Sequence, residues 1–339
     1  MAAEPNRELA RLALEICRYT YAVGAGGHKN QADRDQAREY INAHSTPIGE
    51  PLQFRDLSNT SFACVVPYAD RNVVSYMGTK TEFSIDNWDQ IQESLDDWKE
   101  NGKAMPTAFR LEAEHLGGSA AMTLPGQVHR GFLAQLKAVQ ADVIRALLEN
   151  GGRQRPVLIT GHSQGGAEAA LATAAIAAAG FPVEVTYTFA APRAGMADFV
   201  SSISTPVFRF EFGDDIVPHM PPALIRHALA DALQGQIQGF SFLIRSVANA
   251  GLQLLLAELT NVVYFGLGTL CYGRPEEQKL QICRTAAEET ALFQSRLQRL
   301  KEHPKSWGDH HHLAGTDADV AANRRGTYTA LVSDYAVST

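Results

Sequence analysis

The chain has 339 residues, 45% of them hydrophobic and 20% charged, which is the make-up of a soluble globular protein with room for one large α/β domain or two small ones. Its 37 acidic and 30 basic side chains leave a net charge of −7, so a general nucleic-acid binder is excluded. Four cysteines (Cys17, Cys64, Cys271, Cys283) contain no Cys-x-x-Cys pair, and their spacing fits neither a zinc site nor a dense disulfide framework. Free thiols are expected, with Cys271 and Cys283 the pair closest in sequence.

Met1–Glu8 lacks the basic start and apolar core of a signal peptide, and no window reaches about 18 uncharged apolar residues. The expectation is therefore no spanning helix, and a chain that is cytoplasmic or exported without a cleavable N-terminal signal.

Apolar side chains recur at helical intervals from Leu9 to Tyr21 and predict a first helix, and a second short one is expected around residues 32–43. Phe62–Tyr68 and Asn72–Met77, separated by Ala69-Asp70-Arg71, predict a β-hairpin. The second arm runs into Gly78-Thr79, and a glycine and a hydroxyl residue directly after a strand suit an oxyanion loop, with Thr79 as donor. Trp88 and Trp98 punctuate a polar stretch that suits a lid or an anchored loop. Gly117–Gly126 is rich in small residues and is expected to be a loop. A helix is predicted from Leu133 to about Asn150, ended by Gly151-Gly152.

Val157–Thr160 then leads into Gly161-His162-Ser163-Gln164-Gly165-Gly166, followed by an alanine-rich run. Strand, Gly-x-Ser-x-Gly turn and helix together are the context in which a serine hydroxyl is pushed out at a sheet edge as a nucleophile. The backbone N–H of Gln164, next after the serine, becomes an oxyanion donor. Val183–Phe189 and Pro206–Phe212 are further strands. Their alternation with helices implies a largely parallel sheet with its site at the carboxyl ends of the strands.

A serine needs a histidine base oriented by a carboxylate. Asp214 and Asp215 both follow the second of those strands, and His219, His227, His303 and His310-His311-His312 come later. His162 points away from the serine and is assigned no proton transfer. Three adjacent histidines diverge in helix or strand, so a metal site there is disfavoured.

Taken together, these residues resemble the class 3 (fungal-type) lipases of the α/β-hydrolases. Met77-Gly78-Thr79, Val128-His129-Arg130-Gly131-Phe132, the Gly161–Gly166 turn, Thr188–Gly195 and Asp215-Ile216-Val217-Pro218-His219-Met220-Pro221-Pro222 match that family's motifs in its order. The resemblance covers residues 60–222 well, and Tyr264–Leu270 and the C-terminus more weakly. It implies one α/β-hydrolase domain over 1–339, with a central, mostly parallel sheet flanked by helices and a lipid or ester substrate at a lipid–water interface. It requires no cofactor or metal, and it implies hydrolysis through an acyl-enzyme. Within it Asp215, directly before Ile-Val-Pro, is the acid. The base is His310, because it follows Asp309 near the C-terminus, with His312 the runner-up.

Two features depart from the family. Residues 223–258 are rich in leucine and alanine without a counterpart, and are expected to be added helices, either a lid or a packing segment. The tyrosine that normally follows the histidine closely is delayed to Tyr328. A triacylglycerol lipase is the leading reading, with a phospholipase A1, a short-chain esterase and a catalytically silent interaction module as the others.

Overall fold

The computed structural model describes residues 4–24, 35, 38–39, 41–42, 45–57, 61–78, 105–118, 120–221, 262–302, 311 and 328–337. The lid candidate 223–258, Trp88, Trp98, Thr79, His227, His303, His310 and His312 lie outside them.

Nine strands form the main sheet. In chain order they are β1 (Leu52–Arg55), β2 (Phe62–Pro67), β3 (Asn72–Tyr76), β6 (Val157–His162), β7 (Val183–Phe189), β8 (Val207–Phe212), β9 (Thr269–Arg274), β10 (Lys279–Cys283) and β11 (Ala336–Val337). They lie side by side in that order. Pairing is parallel from β3 through β6, β7 and β8 to β9, and antiparallel at β1–β2, β2–β3 and β9–β10. A separate two-stranded sheet pairs β4 (Pro106–Leu111) with β5 (Met122–His129).

Alternation along the strands assigns the two faces. Ala63, Val65, Val74, Val157 and Ile159 pack with the helices α2 (Arg130–Glu149) and α3 (Gln164–Ala178). Cys64, Val66, Val73, Leu158, Tyr187, Phe189, Phe210 and Phe212 point the other way, onto α1 (Arg7–Gly24) and α6 (Tyr328–Ser333). The faces are thus covered by consecutive helices on one side and by the first and last helices on the other. Helix α3 is buried nearly all round, and its alanines and glycines let it lie close to the sheet.

Two further helices complete the described elements. The short α4 (Ala197–Ser202) follows β7, and α5 (Ala286–Glu302) follows β10. Buried ion pairs tie α5 to the end of β8: Arg296 with Glu211, and Arg299 with Asp214 at 2.9 Å. Arg209 of β8 pairs with Glu289 of the same helix.

The hairpin predicted from Phe62 to Met77 is β2–β3, in register from Ala63↔Tyr76 to Pro67↔Asn72. The expected first helix is α1, and the described residues between 35 and 42 are helical. All four cysteines are free and buried. The loop expected over Gly117–Gly126 is corrected at its second half, where Met122–Gly126 opens β5. Pro125 and Gly126 masked that strand, and it accommodates them at a bulge, between Leu124 and Gln127, where its register with β4 shifts.

Candidate active site

Ser163 sits between the end of β6 and the first residue of α3, with φ +55° and ψ −134°. A side chain seldom adopts this backbone, and the surroundings enforce it. A Cβ at Gly161 would overlap the Gly165 carbonyl, and one at Gly165 would overlap the Tyr76 carbonyl of β3. Only glycines let strand and helix approach this closely. The result lifts Ser163 above the sheet and leaves Gln164 as the first residue of α3, where its backbone N–H has no partner within the helix.

One imidazole bridges the serine and the acid. His311 Nε2 lies 2.9 Å from Ser163 Oγ, and its Nδ1 lies 3.0 and 3.1 Å from the two oxygens of Asp215. The sequence reading placed the base at His310, whereas the ring that meets both partners is that of His311; His310 and the runner-up His312 lie outside the described residues.

Asp215 follows β8 and is fully buried. Burial raises its pKa, but the His311 ring, the Tyr328 hydroxyl and the Val217 N–H together outweigh this and hold the carboxyl below its ordinary value. Tyr328 donates to Asp215 Oδ2 at 2.8 Å, and Val217 N–H to Oδ1 at 3.0 Å. The Tyr328 oxygen also accepts from Phe212 N at 3.2 Å. Asp214, one residue earlier, turns away to Arg299. The two adjacent aspartates therefore do different jobs, and Asp215 is the one brought to the histidine.

His219 is buried against Phe293 in the 3-10 turn Val217–His219, and burial depresses its pKa well below the usual histidine value. It is a wall residue rather than a partner of Ser163 or Asp215. His162 turns away from Ser163. Its Nδ1 is 3.0 Å from the Tyr21 hydroxyl, and its Nε2 is 2.8 Å from the His311 carbonyl.

On the first turns of α3, Glu168 is fully buried. Its Oε1 accepts from Gln164 Nε2 at 3.1 Å, while Oε2 has no partner among the described residues. Burial pushes this carboxyl up to about 8. At the end of β3, a Cβ at Gly78 would stand 3.0 Å from Ser163 Cβ and would overlap the Tyr21 hydroxyl. Gly78 thus brings the start of the expected oxyanion loop against the nucleophile, while Thr79 itself lies outside the described residues.

Sequence reasoning missed Tyr21, Tyr328 and Glu168. Tyr21 stood within a predicted amphipathic helix, where an aromatic residue reads as core. Tyr328 was noticed only as a tyrosine displaced along the chain. Glu168 carried a signal that went unread, as the single charge in an otherwise apolar helix.

Comparison with known proteins follows the same lines. Residues 87–225 match the family profile described as Lipase (class 3). That stretch, under half of the chain, is similar to the class 3 lipases. It is 39% identical over 101 residues to the secreted mono- and diacylglycerol lipase 1 of Fusarium solani, covering 28% of this chain and 30% of that protein. It is 36% identical over 107 residues to the lipase of Rhizomucor miehei, covering 29% of each. The aligned stretch thus spans under a third of these relatives.

The fold is shared more widely. A Rhizomucor miehei lipase propeptide complex superposes with a TM-score of 0.51 at 17% identity, over 84% of this chain and 72% of that one. A triacylglycerol lipase from Penicillium expansum gives 0.50 at 15%, over 85% and 88%. This is the α/β-hydrolase fold that the sequence predicted. One expectation is overturned. The reading of a cytoplasmic class 3 lipase, or of one exported without a cleavable leader, is corrected by relatives that are themselves named as secreted, at 35% to 39% identity.

Proposed function

We propose that the chain is a serine carboxylic ester hydrolase acting on acylglycerols, built as one hydrolase domain over residues 1–339. The observation that carries this is the single imidazole of His311 spanning Ser163 and Asp215 at 2.9 and 3.0 Å. Ser163 is the nucleophile, His311 the base and Asp215 the orienting acid.

A serine hydroxyl is hardly ionised at neutral pH, so its attack on an ester carbonyl needs proton removal in the same step. His311 Nε2 takes the proton as Oγ bonds to the carbonyl carbon, and the carbonyl oxygen becomes an oxyanion. Asp215 accepts the Nδ1 proton's hydrogen bond and stabilises the imidazolium. The same proton then passes to the leaving alkoxide, and the alcohol departs. Water, deprotonated by His311, attacks the acyl-enzyme and releases the acid.

The oxyanion is held by the Gln164 N–H at the start of α3 and by Thr79, assigned from its place directly after Gly78. Each such donor contributes about 2.7–4 kcal/mol to the transition state. Nothing in these steps calls for a metal or organic cofactor.

The similarity to secreted mono- and diacylglycerol lipases supports glycerides as substrates and an exported protein. A fluorophosphonate probe and a series of esters test the reading. Labelling of Ser163, with turnover of mono-, di- or triacylglycerols, is the expected result. Turnover confined to phospholipid or to short soluble esters replaces the substrate, and no adduct on Ser163 in the folded protein replaces the enzyme with a silent interaction module.

A further inference from the structure

His311 is held through its ring by Ser163 and Asp215, but a ring can be aimed only if the main chain beneath it is fixed. Among the described residues, the bond that fixes it comes from His162 Nε2 to the His311 carbonyl, at 2.8 Å. We propose that Tyr21 and His162 are a positioning pair for the base, locking the backbone of residue 311 while taking no part in proton transfer.

The directions of the hydrogen bonds follow from the groups present. A carbonyl can only accept, so His162 Nε2 carries the hydrogen. In the neutral ring Nδ1 is then the acceptor, and the Tyr21 hydroxyl, 3.0 Å away, donates to it. Desolvation raises the pKa of Tyr21 far above its ordinary value, so the hydroxyl keeps the proton it donates. The Gly78 backbone bonds the same hydroxyl.

A continuous path therefore runs from the end of β3, through a tyrosine of α1 and the residue preceding the nucleophile, to the main chain of the base. The rings reinforce it. His162 lies 4.8 Å from the His311 ring, with Tyr21 and Tyr328 edge-on at 5.6 and 6.0 Å. The ring of His162 is thus clamped on three sides and offers its one donor to one acceptor.

This inference rests on His311 being the base, so its test includes a readout that does not need turnover. His162→Leu removes the donor, His162→Gln retains an amide donor, and Tyr21→Phe deletes a single oxygen. Turnover of a soluble ester and phosphonate labelling of Ser163 report kcat. The low-field proton NMR signal of His311 Nδ1–H, assigned by its loss in His311→Ala, reports the bond to Asp215.

His162→Leu is expected to lower kcat by about 10- to 100-fold with KM unchanged, the scale of loss for a catalytic group displaced by about an ångström. The Nδ1–H signal should broaden or vanish. His162→Gln should restore both, and Tyr21→Phe should fall between.

Wild-type kcat and a sharp Nδ1–H signal in His162→Leu would overturn the proposal. If that variant fails to fold, the same result in Tyr21→Phe overturns it. A wild-type protein that turns over no ester would defeat the hydrolase reading, while the NMR signal would still decide whether the pair positions His311.

Discussion

Replacing Glu168 by glutamine asks what a lone carboxyl does inside an apolar helix. The side chain is fully buried, with one oxygen on Gln164 Nε2 and the other without a partner among the described residues. Its pKa rises from 4.5 to about 8 in the folded protein. At about 1.4 kcal/mol per pH unit, ionised Glu168 would cost the folded state about 5 kcal/mol as a ceiling, reduced wherever the surroundings relax around the charge. The sign follows from which state gives up the proton first. Above pH 4.5 the unfolded chain ionises Glu168 while the folded chain holds it protonated. Folding stability therefore falls as pH rises from about 4.5 to 8, and then levels.

Glu168→Gln preserves the acceptor for Gln164 and removes the titration. Urea unfolding across pH 5 to 8 measures it. The stability of the variant relative to wild type should climb with pH, by about 2–3.5 kcal/mol over that range. Parallel pH dependences for the two proteins would refute the reasoning and show that Glu168 reaches water or a partner in the folded state.

Three further expectations are simpler. Ser163→Ala and His311→Ala should each lower ester turnover by about a thousandfold or more, while His310→Ala and His312→Ala retain it, as read by initial rates on one soluble ester. Gly165→Ala should destabilise the fold outright, since the new methyl group meets the Tyr76 carbonyl, and its thermal midpoint should drop by several degrees or the chain should fail to fold. Tyr328→Phe removes one hydrogen bond from the Phe212 N–H and one from an oxygen of fully buried Asp215. It should lose about 1–3 kcal/mol in urea unfolding.

The parts of the molecule that could be read from sequence are those whose physics is local. The β2–β3 hairpin announces itself by two apolar runs around a polar turn. The nucleophile turn does so because a strained serine demands glycines at fixed offsets. Asp215 was distinguishable from Asp214 only through the motif that follows it, and the structure accounts for the difference by giving Asp214 to Arg299. What escaped reading depends on distant pairing. Strand β5 hides behind Pro125 and Gly126, and β9–β10 turns through Pro275–Gln278 with no strong local signal. Which of three consecutive histidines meets Asp215 is decided by a pairing across 96 residues of chain. Nothing periodic encodes that pairing. Tyr21 and Tyr328 likewise acquire their roles only once α1 and α6 lie on the same face of the sheet.

That shared face has a consequence for how the molecule is assembled. Ser163 and Asp215 stand on strands near the middle of the sequence, whereas His311 is 148 residues beyond the serine and Tyr328 is 113 beyond the acid. Helix α1 in turn grips the last helix, with Arg7 donating to the carbonyls of Val332 and Tyr335. During synthesis the elbow and the acid emerge well before the histidine and the tyrosine that complete them, and the first helix must wait for the last. A growing chain therefore carries Ser163 on its strained turn with its histidine partner still missing, until α1 and the segments that carry His311 and Tyr328 have closed over the sheet.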